Sequence, residues 1–377
     1  MSADAADSTE RAPRIDLTRP WRFLSPRGTL RRRDGAVVRA VEPGELESAL
    51  SERFPDFGPW KLFPTRGRAI EGVLESARAA TGRPQILRFR GCRHGFLDEP
   101  APQPPARGRA GVVRFGLDAA ADAAGQRFLR FQDAATVEAL LGAPQTPIGA
   151  LLLEPVPMRM GLAIPAPDFV PRLREATSQS GTLLIFDEGS SALRFGARGS
   201  GPRLGAMPDV LVFGESLTAG LPFGAAAFSR AAQSSWNLAL ACCDAGVPSD
   251  AALVAALESL DATTDPAPAA HLEALGARLA RGLESILADL ESRASVARLG
   301  SVIFLYFPGS GLSDPSHPAR YDWARTRAWS EALAARGIRV SPHPMDPMFL
   351  ADDLRPADLD AVLAAAGDAL ERIGDAL

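Results

Sequence analysis

Two short apolar runs, Leu183-Leu184-Ile185-Phe186 and Val210-Leu211-Val212-Phe213, constrain the fold of this chain more than any other feature. The first ends on Asp187-Glu188 and the second on Gly214-Glu215. A run of large apolar residues without polar alternation reads as a strand buried on both faces, the kind found in parallel sheets covered by helices. In open α/β sheets ligands bind in the crevice outside the carboxyl ends of the strands. The acidic ends at Asp187 and Glu215 therefore mark where this chain presents side chains to a ligand.

The flanking sequence supplies the other elements of such a sheet. Residues 85–89 and 150–155 read as further strands, and 167–180 as a helix. Residues 65–81 form a helix by spacing: Ile70, Val73, Leu74 and Ala77 recur at i, i+3, i+4 and i+7, and Gly82 stops it. Leu46, Ala49 and Leu50 give a shorter surface helix over 43–54. Alternating helix and strand over 65–229 predicts an α/β domain with a mostly parallel sheet covered by helices. Beyond it, 250–292 is helical, strands fall at 300–307 and 338–342, and helices at 322–336 and 355–373. The expected organisation is a polar disordered tail (1–14), a short N-terminal segment (15–59), a large domain (60–255) and a smaller C-terminal α+β domain with its connecting helix (256–377).

Bulk properties exclude several function classes. A net charge of −4 gives no basis for nucleic acid or an anionic membrane as partner. No apolar run reaches transmembrane length and the N-terminus lacks a signal-peptide core, so a cytoplasmic protein is expected. Three cysteines, two of them adjacent at 242 and 243, make no disulfide framework. His271, His317 and His343 have no partners at metal-ligand spacing, so no metal is expected. Of the 41 basic residues, Lys61 alone is a lysine. Any chemistry needing a lysine amine has that one candidate.

The order of motifs resembles the class III aminotransferases, fold type I pyridoxal-phosphate enzymes, on the branch of glutamate-1-semialdehyde aminomutase. The resemblance is carried by Ala77-Arg78-Ala79-Ala80-Thr81-Gly82-Arg83, Phe89-Arg90-Gly91-Cys92-Arg93-His94-Gly95, Glu154-Pro155 and Leu184-Ile185-Phe186-Asp187-Glu188. Pro208-Asp209, Gly220-Leu221-Pro222-Phe223-Gly224-Ala225 and Arg336-Gly337-Ile338 follow in the family's order. It implies a fold type I architecture, a site at a homodimer interface, and a pyridoxal phosphate held on a lysine that follows the glycine matching Gly214. Here that residue is Glu215, and a carboxylate forms no Schiff base. The Ser-Gly-Thr phosphate turn of the family appears as Thr65-Arg66-Gly67, followed by Arg68. Arg93 takes the place of the stacking aromatic and Gly189 that of the valine on the other ring face. The partner-subunit threonine of the phosphate site falls near Ala245. Asp187, the partner of the pyridine nitrogen in the family, is kept, as are His94 and Arg194.

These departures set the functional expectation: a family member that has lost its cofactor and works as a repurposed acid–base enzyme of specialised metabolism. Glu215, Asp187 and His94 would transfer protons, because two carboxylates in one cavity cannot both ionise cheaply. Arg66, Arg68, Arg93 and Arg194 would bind a small anionic substrate through guanidinium forks. Three alternatives stand beside it. In the first, the arginines instead fill the vacated space and neutralise the acids. In the second, the chain is a non-catalytic pseudoenzyme that partners another protein. In the third, it is a transaminase or aminomutase that holds pyridoxal phosphate non-covalently or through Lys61.

Overall fold

The computed structural model describes residues 15–18, 41–94, 125–232, 246–308 and 321–374. The tail at 1–14, Cys242, Cys243, Ala245 and His317 lie outside the described residues. The chain runs from β1 (Ile15–Asp16) to α1 (Pro43–Arg53), β2 (Lys61–Phe63), α2 (Arg66–Thr81), β3 (Gln85–Phe89), β4 (Gln126–Leu129) and α3 (Ala134–Leu141). β5 (Ile148–Leu153), α4 (Phe169–Ser180), β6 (Leu183–Asp187), β7 (Val210–Phe213) and β8 (Gly224–Phe228) follow.

Among the described residues, seven strands form one sheet in the order β2-β8-β7-β6-β5-β3-β4. β4, β3, β5, β6 and β7 pair in parallel. β8 runs antiparallel to β7, and β2 antiparallel to β8. The sheet is thus mostly parallel, as its unbroken apolar runs require: every residue of β5, β6 and β7 is buried.

Strand parity divides the core. Ile86, Ala150, Leu152, Ile185, Val210 and Val212 pack with Ile70, Val73, Leu74 and Ala77 of α2. Their neighbours Leu87, Leu151, Leu153, Leu184 and Phe186 pack on the other side with Val137 and Leu141 of α3 and Phe169, Val170 and Leu173 of α4. Burying each of these large side chains contributes about 1.5–3 kcal/mol over leaving it exposed. Asp187 lies two residues beyond Ile185, so it faces the α2 layer.

α2 starts where the site is built. Thr65 adopts an extended backbone and accepts a hydrogen bond from the Arg68 N–H. Gly82, left-handed at φ 63°, ends the helix. The first turn sits hard against β8, and a Cβ on Gly224 would run into the Thr65 carbonyl.

The C-terminal part carries β9 (Ser295–Leu299), β10 (Val302–Tyr306), β11 (Ile338–Arg339) and β12 (Met348–Phe349) among helices Asp250–Ala262, Ala267–Asp289, Trp323–Ala334 and Pro356–Gly374. β12, β10 and β9 form an antiparallel sheet, and β1 pairs in parallel with β11. The residues at 15 and 16 therefore join the C-terminal part, a pairing two residues long that leaves no periodicity to read. The helical stretch from 250 is broken before Ala267, with Pro266 at its cap.

Candidate active site

The carboxyl ends of β6 and β7 lie side by side, Asp187 registering with Val212. The chain leaving β6 is tied to the chain leaving β7. The Glu188 N–H donates to the Val212 carbonyl at 2.8 Å, and Ser216 N–H donates to the Gly189 carbonyl at 3.2 Å. Glu188 turns away from the crevice. Its carboxylate accepts from the Ser200 N–H at 2.7 Å and hydroxyl at 2.6 Å, and from the Ser191 hydroxyl. That buried carboxylate pins the turns at 189–200 beneath the site.

Asp187 is fully buried, and each of its oxygens has a partner. His94 Nδ1, equally buried, donates to Oδ2 at 2.7 Å. The Gly189 N–H donates to Oδ1 at 3.0 Å, and Arg66 Nη1 stands 3.7 Å from the same oxygen. Burial pushes the Asp187 carboxyl up, but the Arg66 charge, the His94 hydrogen bond and the Gly189 N–H together hold it below its ordinary value. Burial drives His94 down against the pull of Asp187, and the charges of Arg88 and Arg66 add to that. The pair is an ionised carboxylate fixed by a neutral imidazole.

Glu215 opens the short 3-10 turn after Gly214. Its Oε2 lies 3.9 Å from Arg66 Nε. Burial raises its carboxyl, opposed by Arg66. Arg66 is the centre of the arrangement: the guanidinium stands between Asp187 and Glu215 and donates to the Arg93 carbonyl at 3.3 Å. Two glycines make its slot. A Cβ on Gly189 would collide with Arg66 Cδ, and one on Gly214 would come within 2.8 Å of the same carbon.

The structure brings together Glu215, Asp187, His94 and Arg66, all named from sequence. Arg93 joins through its backbone, its N–H donating to Glu154 at 3.2 Å. Arg68 is not in the crevice; it lies on the exposed side of α2 and pairs with Glu71 at 2.9 Å. Arg194 is also elsewhere. It is buried after β6, donates to Ser301 Oγ at 2.7 Å and the Leu350 carbonyl at 3.0 Å, and lies over the Phe349 ring. It joins the large sheet's turns to the C-terminal part, and burial lowers its guanidinium to about 9. Of the arginines considered as space-filling, Arg66 alone is shown lying between the acids. Glu154, which closes the Arg93 side of the crevice, was legible as a third acidic strand end after the run at 150–153.

Lys61 is two strands from β7. It registers with Ala226 of β8, which registers with Val212. Val212 in turn registers with Asp187 of β6, so Lys61 is level with Asp187 but three strand spacings, about 14 Å, to the side, which a lysine side chain does not span.

Pyridoxal phosphate is the group the family resemblance implies, and the residues can be tested against it. A carboxylate held ionised at the base of the crevice suits a pyridinium nitrogen. In the structure Arg66 fills the slot between Gly189 and Gly214, 3.7 Å from Asp187 and 3.9 Å from Glu215, so a flat group bound there takes the place of its guanidinium. Glu215 offers no covalent attachment. Asp187 and the slot between the two glycines therefore fit the ring of the group, held non-covalently.

Residues 65–342 match the family model for class-III aminotransferases. The glutamate-1-semialdehyde 2,1-aminomutase of Thermomicrobium roseum is 32% identical over 336 residues, covering 87% of this chain and 77% of that protein. The aminomutase of Roseiflexus castenholzii is 30% identical, covering 89% and 79%. Among solved structures, an omega-transaminase from Sphaerobacter thermophilus superposes with a TM-score of 0.73 at 27% identity, over 87% of this chain and 77% of its own.

These relatives correct the expectation of a cofactor-free acid–base enzyme, and with it those of a pseudoenzyme and of an absent cofactor. The chain resembles aminomutases and transaminases over nearly all its length, and solved members of this fold include a transaminase with PLP bound. Loss of the covalent link at Glu215 does not by itself remove the cofactor, because Asp187, the carboxylate that meets the pyridine nitrogen in the family, is retained and held ionised. The chain belongs to the class III aminotransferase family.

Proposed function

We propose that this protein is an aminomutase- or transaminase-type enzyme that holds a pyridoxal-phosphate-type cofactor non-covalently. The observation that carries the reading is the Asp187–His94 pair: a buried, ionised carboxylate fixed at 2.7 Å by a neutral imidazole. Such a group is costly to bury without a cationic partner; Arg66 is that partner at 3.7 Å in the structure, and a ring nitrogen would take its place. Asp187 receives the pyridine nitrogen, and His94 positions Asp187. Glu215 takes the place of the family's lysine as the proton-carrying group, its carboxyl raised by burial and held back by the Arg66 charge. When bound, the cofactor supplies an amino-group carrier and an electron sink.

A precedent lies in the same fold. A lysine-to-alanine variant of the glutamate-1-semialdehyde aminomutase of Pseudomonas aeruginosa PAO1, 24% identical and with a TM-score of 0.71, is solved in complex with PMP. Amino transfer on a small carboxylate-bearing substrate, within a homodimer in the cytoplasm, completes the proposal. Among the described residues no helix is long and apolar enough to cross a membrane.

Titration calorimetry of the purified chain with pyridoxamine phosphate (PMP) and pyridoxal phosphate tests the reading. Saturable binding that Asp187→Ala abolishes and Lys61→Arg leaves within about twofold is expected. Loss of binding in Lys61→Arg would instead put the cofactor on that lysine.

A further inference from the structure

The geometry points to Glu215 as a selectivity residue that makes the site prefer the amine form of the cofactor, PMP, over forms without a charged amine. The inference rests on the cofactor reading above and extends it to which vitamer the resting site takes. It starts from what occupies the slot. A planar cation, the Arg66 guanidinium, stands between two carboxylates, 3.7 Å from Asp187 and 3.9 Å from Glu215. The walls that admit it are Gly189 and Gly214, neither of which could carry a side chain while it is there. The crevice is therefore shaped and charged for a flat group with positive charge directed at both strand ends.

A ligand entering this slot turns Arg66 aside and leaves two carboxylates without that partner. Buried or half-buried charges left unpaired are costly, so affinity depends on how many the ligand re-pairs. The protonated ring nitrogen of any B6 phosphate answers Asp187. A protonated aminomethyl group is a primary ammonium, charged at neutral pH as a lysine is. It answers Glu215 with a charge-assisted hydrogen bond. An aldehyde or hydroxymethyl group at that position gives the Glu215 carboxylate no charge. In a family where the resemblance sets a lysine at this position, a carboxylate inverts the preference: a lysine captures the aldehyde, a glutamate holds the amine.

The other acids do not compete for this role. Glu188 is fully engaged by Ser191 and Ser200 beneath the strand ends, and Glu154 accepts the Arg93 N–H. Glu215 is the acid of the pair that is partly open, with a third of its side chain exposed.

Calorimetry with two non-reactive probes isolates the effect, because PMP and pyridoxine 5′-phosphate share ring and phosphate and differ by ammonium against hydroxyl. The full-length protein should bind PMP about tenfold or more tighter, the scale of one charge-assisted hydrogen bond. Glu215→Gln, which keeps shape and removes charge, should bring the ratio of the two affinities to within about threefold of unity. Arg66→Ala serves as the second variant. It should tighten PMP binding while keeping the preference, because it removes the internal cation and leaves Glu215. Equal binding of both probes by the wild type, or an undiminished ratio in Glu215→Gln, overturns the selectivity. Failure of both probes to bind either the wild type or Arg66→Ala overturns the cofactor reading itself.

Discussion

Arg66→Ala should have two effects of opposite sign, and together they test the structure of the site. At 3.7 Å and an effective dielectric of about 20, the attraction between Arg66 and Asp187 is roughly 4–5 kcal/mol. Desolvation of both ends offsets a good part of it, and the Glu215 pair at 3.9 Å is partly exposed and worth little more. A net loss of about 2–3 kcal/mol on removing the cation follows, since Asp187 stays buried. For a chain of this size that corresponds to a melting temperature lower by roughly 3–5 °C. The same cation competes with any cofactor for the slot, so its removal should tighten PMP by about tenfold or more. Differential scanning fluorimetry of the free protein gives the first number and calorimetry the second. An unchanged melt together with unchanged or weaker PMP binding would refute the reasoning, for Arg66 would then be neither a stabiliser of the empty site nor a competitor for it.

His94→Gln reports on the imidazole. Because the folded His94 titrates below the ordinary value of 6.5, its contribution is present above that value and is lost as pH falls and the unfolded chain takes up a proton. Glu215 and Glu188, raised by burial, act with opposite sign between their ordinary value of 4.5 and their raised ones, so the comparison is between variant and wild type. The wild type should lose stability more steeply than His94→Gln as pH falls through 6.5 toward 5 in parallel melts; identical slopes would mean the imidazole is not held neutral. Arg194→Met should lower stability by about 2 kcal/mol, from the donors withdrawn from Ser301 and the Leu350 carbonyl, and change PMP affinity less than about threefold. A large loss of affinity with an unchanged melt would return Arg194 to the binding site.

The sheet was legible because its strands carry a strong local signal. The runs at 150–153, 183–186 and 210–213 are buried on both faces and so have no polar interruption, while the strand at 85–89 buries Arg88 among its apolar residues. α2 announced itself through Thr65, the apolar stripe and Gly82. Pairings set by the whole chain were not legible: β1 is two residues long, and its partner β11 lies over three hundred positions away. The acids of the site were found because strand ends are ligand positions by topology. Side-chain direction was the part that sequence could not carry. Arg66 and Arg68 differ by two positions on one helix, about 200° of rotation, and so one enters the crevice while the other faces solvent beside Glu71. Gly189 read as the loss of a valine; in the structure it is the space that Arg66 fills.

The most direct test of the account is a crystal structure of the protein soaked with PMP. The account predicts the ligand in the slot between Gly189 and Gly214, its ring nitrogen on Asp187, no bond to Lys61, and Arg66 turned out of the crevice. Arg66 still lodged between Asp187 and Glu215 at saturating PMP, with no ligand beside it, would contradict the account.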